Sequence, residues 1–83
     1  MGREQITGFV MVKITPVSRT IPVYRSLKGM DGVVEMHEIT GEFELIIKII
    51  AENIDQLRRL VNQIRSKQGV LSLETIISYH RIV

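Results

Sequence analysis

Laid over itself with a shift of 37 positions, the 83-residue chain matches its own pattern. Val10 falls on Ile47, Val12 on Ile49, Tyr24 on Val61, Leu27 on Ile64 and Ile39 on Ile76. The same shift lays Gly32-Val33 on Gly69-Val70. Apolar matches alone arise by chance in a chain that is 45% hydrophobic, so the repeated glycine-valine join carries the register. Two β-α-β halves laid on one another account for this correspondence.

The local signals fill in those halves. Residues 6–14, Ile-Thr-Gly-Phe-Val-Met-Val-Lys-Ile, predict a strand closed by Thr15-Pro16. Val17, Ile21, Tyr24 and Leu27 repeat at helical spacing within Val17–Lys28. Ser18 or Thr20 can cap that helix, and Pro22 falls in its first turn, where a missing N–H does least harm. Gly29-Met30-Asp31-Gly32 leads to a strand over Val33–Ile39, and the turn Thr40-Gly41-Glu42 returns the chain through Phe43–Ile50. The second helix has Asn53 as N-cap with Gln56 three residues on, and one apolar stripe of Ile54, Leu57, Leu60, Val61 and Ile64. Gly69 suits a left-handed cap after it, and a last strand runs from about Leu71 to Ile82. The order β-α-β-β-α-β predicts an α+β, ferredoxin-like sandwich over a single domain, 1–83. Its four-stranded antiparallel sheet carries both helices on one face.

A sheet with one solvated face alternates apolar and polar residues. These strands do not. On the first, Phe9 and Met11 oppose Val10 and Val12; on the third, Ile46 and Ile50 oppose Leu45, Ile47 and Ile49. Phe9, Met11, Ile46 and Ile50, joined by Met36 or Leu73, are the candidates for an apolar patch on the uncovered face. Such patches mark interfaces. A chain of this size buries only about 60–65% of its unfolded surface, and with no cysteine it has no disulfide to add stability. Burying roughly 400 Å² per subunit offers on the order of 10 kcal/mol before association costs. A homodimer is therefore expected.

Catalytic and nucleic-acid signals are sparse. The net charge is +2, from 11 basic and 9 acidic residues, with no Lys/Arg block to track a phosphate backbone. RNA-binding sheets of this topology stack bases on several aromatics, whereas Phe9 stands alone among Val and Met. The histidines, His37 and His80, lack ligand spacing, so no metal or cofactor is expected. His37 shares a strand face with Glu35, which leaves open an acid–base pair or a histidine in contact with water. No serine sits in a nucleophile elbow. Arg58, Arg59, Arg65 and Lys67 lie outside the apolar stripe of the second helix, where such charges ordinarily solvate a helix face. Lys48 interrupts the apolar run Leu45–Ile50, which is too short to span a membrane. The first five residues lack a signal peptide's apolar stretch, so the reading is cytoplasmic. An enzyme is not expected.

The stretch Ile39-Thr40-Gly41-Glu42-Phe43-Glu44-Leu45-Ile46-Ile47-Lys48-Ile49 resembles the Thr-Gly-x-aromatic-Asp hairpin of Lrp/AsnC transcription regulators. Met30-Asp31-Gly32-Val33-Val34-Glu35 is similar to the family's lead into its second strand. Gly69-Val70-Leu71-Ser72-Leu73-Glu74-Thr75 is similar to the lead into its last, and Gly8–Ile14 to its first. The resemblance covers nearly the whole chain and points to the C-terminal RAM domain, free of the family's helix-turn-helix. It implies sheet-to-sheet dimers that build higher ring-like oligomers. It also implies a small effector, typically an amino acid, bound at contacts between dimers. Carried over by position, Gly41, Glu42, Glu44 and Thr75 are the effector-binding residues: a carboxylate to meet an ammonium, and a hydroxyl to meet a carboxylate. Glu44 stands where the family has Asp, and Leu73 where it has a first threonine. The implied role is a stand-alone effector-sensing module that co-assembles with itself or with a full-length Lrp/AsnC regulator, without touching DNA. Alternatives are a purely structural oligomerisation domain and a small dimeric ferredoxin-like monooxygenase or isomerase using His37 or His80.

Overall fold

The computed structural model describes residues 5–83. It runs β1 (Ile6–Ile14), α1 (Thr20–Leu27), β2 (Val33–Glu38), β3 (Leu45–Ala51), α2 (Ile54–Arg65) and β4 (Val70–Ser78). The strands form one antiparallel sheet in the order β2-β3-β1-β4. The order is that of a ferredoxin-like sandwich, as the repeat predicts. Val10 and Ile47, matched by the 37-residue shift, are also Cα partners across β1 and β3. A local twofold axis through that pair exchanges β1 and β3, while the edge strands β2 and β4 pair two residues out of register with it.

The core lies between the sheet and the helices. Val10, Val12 and Ile14 on β1 and Leu45, Ile47 and Ile49 on β3 are buried, against Val23 and Leu27 of α1 and Leu57, Leu60, Val61 and Ile64 of α2. Each half also packs on the other through its glycine. Gly32 (φ +94°) lies under Leu60, and Gly69 (φ +102°) lies under Val23. Val23 and Leu60 are themselves matched by the shift, so the glycine-valine joins make room for the helices of the opposite halves.

α2 forms as expected, with Asn53 Oδ1 accepting the Gln56 N–H at 2.8 Å. It stops at a Ser66 C-cap, and Gly69 serves the turn into β4 rather than the cap itself. α1 departs from expectation. A 3-10 turn, Val17–Arg19, precedes it, and its N-cap position is Arg19, with no side-chain cap. That turn shifts the phase, so Thr20, Val23 and Leu27 face the core while Val17 and Ile21 stay exposed. The Thr20 hydroxyl donates to Val17 O at 2.7 Å, which lets it be buried.

Two irregularities decide which way the edge strands face. In β2 the register shifts between Val33 and Glu35, and in β4 it shifts opposite Lys13 and Ile14. The extra residues, Val34 and Leu71, are equivalent under the 37-residue shift. An extra residue reverses the alternation beyond it. Met36 therefore pairs with Ile47, Leu73 pairs with Val12, and both pack against the core. The expectation that Met36 or Leu73 lies on the uncovered face is corrected: Glu35 and His37 lie there instead. β4 ends at Ser78, opposite Thr7 near the start of β1, so residues 79–83 leave the sheet. No helix among the described residues is long and apolar enough to cross a membrane.

Candidate functional site

The uncovered face is set by register, because cross-strand partners share a face. Phe9 pairs with Lys48 and Ile76, and Met11 with Ile46 and Glu74; Thr7 pairs with Ile50. Phe9, Met11, Ile46 and Ile50 thus lie together as expected, half-buried by one another with no helix over them. Ile76, 53% exposed, extends the patch onto β4. Reading β4 without its bulge hides that residue. Lys48 lies within the patch, between Ile46 and Ile50 and opposite Phe9, and Lys13, Glu35 and Glu74 lie around it, two cations against two acids. His37 Nε2 and Glu35 Oε2 lie 2.8 Å apart on the same face. This hydrogen bond, helped by the charges of His37 and Lys48, holds the Glu35 carboxyl below its ordinary value against an opposing desolvation. Both side chains are more than half exposed. The pair is open to water, and His37 also lines an open groove of about 240 Å³ with Tyr24, Lys28, Met36, Glu38 and Leu45.

The hairpin residues are tied to the end of β1. The Lys13 ammonium donates to Glu42 O at 2.8 Å, and Glu44 Oε1 accepts the Ile14 N–H at 2.5 Å. Gly41 is exposed at the turn with φ +116°. Thr75 lies elsewhere. It pairs with Val10, on the helix side of the edge strand β4, and lines a groove of about 360 Å³ between β4 and α2. No hairpin residue lines that groove. Thr75 is two strands from β3, about 10 Å sideways, and Glu44 is three residues further along, about another 10 Å. One subunit therefore cannot present Thr75 and Glu44 to the same α-amino acid head group, whose two charged groups share a carbon.

The groove brings in residues that the sequence assigned to solvent. Leu57, Val61 and Ile77 form its apolar floor, and Arg58, Asn62 and Arg65 join Thr75 around it. Arg59 and Lys67 do not line it. Helical spacing alone puts Arg58 and Arg65 on one face of α2. The missing information was that this face borders the edge strand. Among the described residues no group of three or more His, Cys, Asp or Glu converges to hold a metal.

The Lrp/AsnC ligand binding domain matches this chain over residues 7–83. The chain belongs to that family. This Lrp/AsnC domain is 30% identical over 74 residues to the HTH-type transcriptional regulator LysM of Saccharolobus solfataricus, covering 89% of this chain and 52% of the regulator. It is 33% identical over 72 residues to a homocitrate synthase of Saccharolobus islandicus, covering 87% of this chain and 16% of the enzyme. The chain thus spans about half of one relative and a small part of the other. Among solved structures, Escherichia coli AsnC superposes with a TM-score of 0.87 at 24% identity, over 94% of this chain and 53% of that one. A protein of Thermus thermophilus gives 0.87 at 24% identity, over 94% and 98%. The Lrp/AsnC domain fold is common to all three.

Proposed function

We propose that this chain is an effector-sensing module that pairs with a second copy through its open sheet face and binds a small metabolite, an amino acid above all. One observation carries the reading. Segments similar to this Lrp/AsnC domain lie within a homocitrate synthase and within an HTH-type regulator. What a synthase and a DNA-binding regulator share is neither the synthase's chemistry nor the regulator's DNA contact. A segment common to both suits control of whatever it is joined to. Co-assembly with a full-length regulator would pass the signal on without this chain touching DNA.

The open face supports self-pairing. A surface that meets its own copy cannot carry a large net charge, and this one balances Lys13 and Lys48 against Glu35 and Glu74 among its apolar residues. The separation of Thr75 from Gly41, Glu42 and Glu44 supports a site completed by a second subunit, which ring-like assembly of dimers would supply.

Thermal unfolding against the twenty amino acids, with Thr75→Val alongside, tests the sensing role. A ligand at about 100 times its Kd adds roughly 2.7 kcal/mol to the native state. The expected result is stabilisation by one or a few amino acids, reduced in Thr75→Val. Indifference to every amino acid, with a stable oligomer present, would instead support a purely structural assembly domain.

A further inference from the structure

The groove between α2 and β4 has a composition that the open sheet face lacks. Its floor is aliphatic and its polar side chains are Arg58, Asn62, Arg65 and Thr75, none of them acidic. Arg58 and Arg65 are seven residues apart, two turns along one face of α2, and Thr75 lies across from them on β4. Arg65 Nη1 donates to Asn62 Oδ1 at 3.0 Å, which fixes its guanidinium at the rim. Among the described residues Arg58 has neither an ion pair nor a side-chain hydrogen bond. A guanidinium stays charged at any physiological pH and presents a planar fork of donors that fits a carboxylate. Two such groups and a hydroxyl around an apolar floor, with no acid to neutralise them, match a small aliphatic carboxylate.

We infer that this groove is the carboxylate subsite of the effector, a step that rests on the sensing role proposed above. The Arg58 guanidinium takes the carboxylate, and the Thr75 hydroxyl donates a further hydrogen bond. Arg65, held by Asn62, adds charge at the rim. The ligand's aliphatic part lies on Leu57, Val61 and Ile77. Nothing lining the groove calls for an ammonium, so the subsite accepts a deaminated acid as well as an amino acid. Any ammonium is met by the hairpin of another subunit.

The test uses three probes on the whole chain: L-valine, 3-methylbutanoate and 2-methylpropylamine, which differ in which charged group they carry. Binding is read from the arginine Nε–H resonances and from thermal unfolding. Both acids are expected to move the Arg58 resonance and raise the melting temperature, while the amine does neither. Arg58→Gln should weaken both acids at least tenfold without changing the fold or oligomer size. Arg59→Gln, outside the groove, should leave binding unchanged. Acid binding that survives Arg58→Gln, or amine binding equal to that of the acids, overturns the subsite. If neither acid binds but some other amino acid stabilises the protein independently of Arg58, the subsite falls and the sensing role stands. No response to any amino acid or either acid removes both.

Discussion

Gly32 combines two demands that no other residue type meets. Its φ of +94° lies in the region where a side chain is strained, and a Cβ there would approach Leu60 Cδ2 to 2.7 Å and Ile50 O to 3.1 Å. Gly32→Ala should cost about 1–3 kcal/mol, read as a lower urea midpoint. Adding Leu60→Ala should not restore it, because the backbone strain and the carbonyl contact remain. An unchanged midpoint would show that the turn relaxes freely. At Glu35 the prediction concerns titration. Its folded value is lowered chiefly by the His37 hydrogen bond, so its contribution is present above the ordinary 4.5 and is lost as pH falls through the lower folded value. In His37→Ala the Glu35 carboxyl resonance should titrate at higher pH than in the parent. An unmoved midpoint would assign the shift to Lys48 instead.

The elements differ in how plainly their residues announce them. α2 was legible from its cap and most of its stripe: Asn53 caps it and Leu57, Leu60, Val61 and Ile64 are buried, while Ile54 stays exposed and the helix stops at Ser66 rather than on a Gly69 cap. Asn53→Ala should lower stability by about 1 kcal/mol in the same urea assay. A neutral result would mean that Gln56 and water satisfy the freed N–H groups. β1 was legible to the residue, since the Thr-Pro after it stops the ladder. The faces of β2 and β4 were not, because Val34 and Leu71 are ordinary strand-formers and nothing in their chemistry marks them as extra. The 37-residue shift did pair them, but a repeat says only that two halves share a feature, not that the feature is a bulge. Deleting Val34 should remove the bulge and leave the pairing unchanged, since Val33, Glu35 and Met36 then alternate regularly against Ile49, Lys48 and Ile47. The expected outcome is a folded chain with Met36 still in the core and a urea midpoint close to the parent's. A large loss of stability would mean that the bulge itself is needed to bend β2 onto the sheet.

At the scale of the whole molecule, the sheet separates two surfaces. The open face, with Phe9, Met11, Ile46, Ile50 and Ile76 between balanced charges, is suited to a second copy. The groove on the helix side, with Arg58, Arg65 and Thr75, is suited to a small acid. The first was largely readable from the lack of alternation in β1 and β3. The second was not, because it joins a helix and an edge strand that only the fold brings together. Phe9→Glu sets a charge at the centre of the patch and should leave a folded monomer. The decisive measurement is sedimentation equilibrium of the whole chain over a wide concentration range, with and without the amino acid that most raises its melting temperature. A sensing module of this kind predicts a dimer in the absence of ligand, a shift in assembly size when ligand is added, and loss of both in Phe9→Glu. A monomer at every concentration, or an assembly indifferent to ligand and to Phe9→Glu, would contradict it.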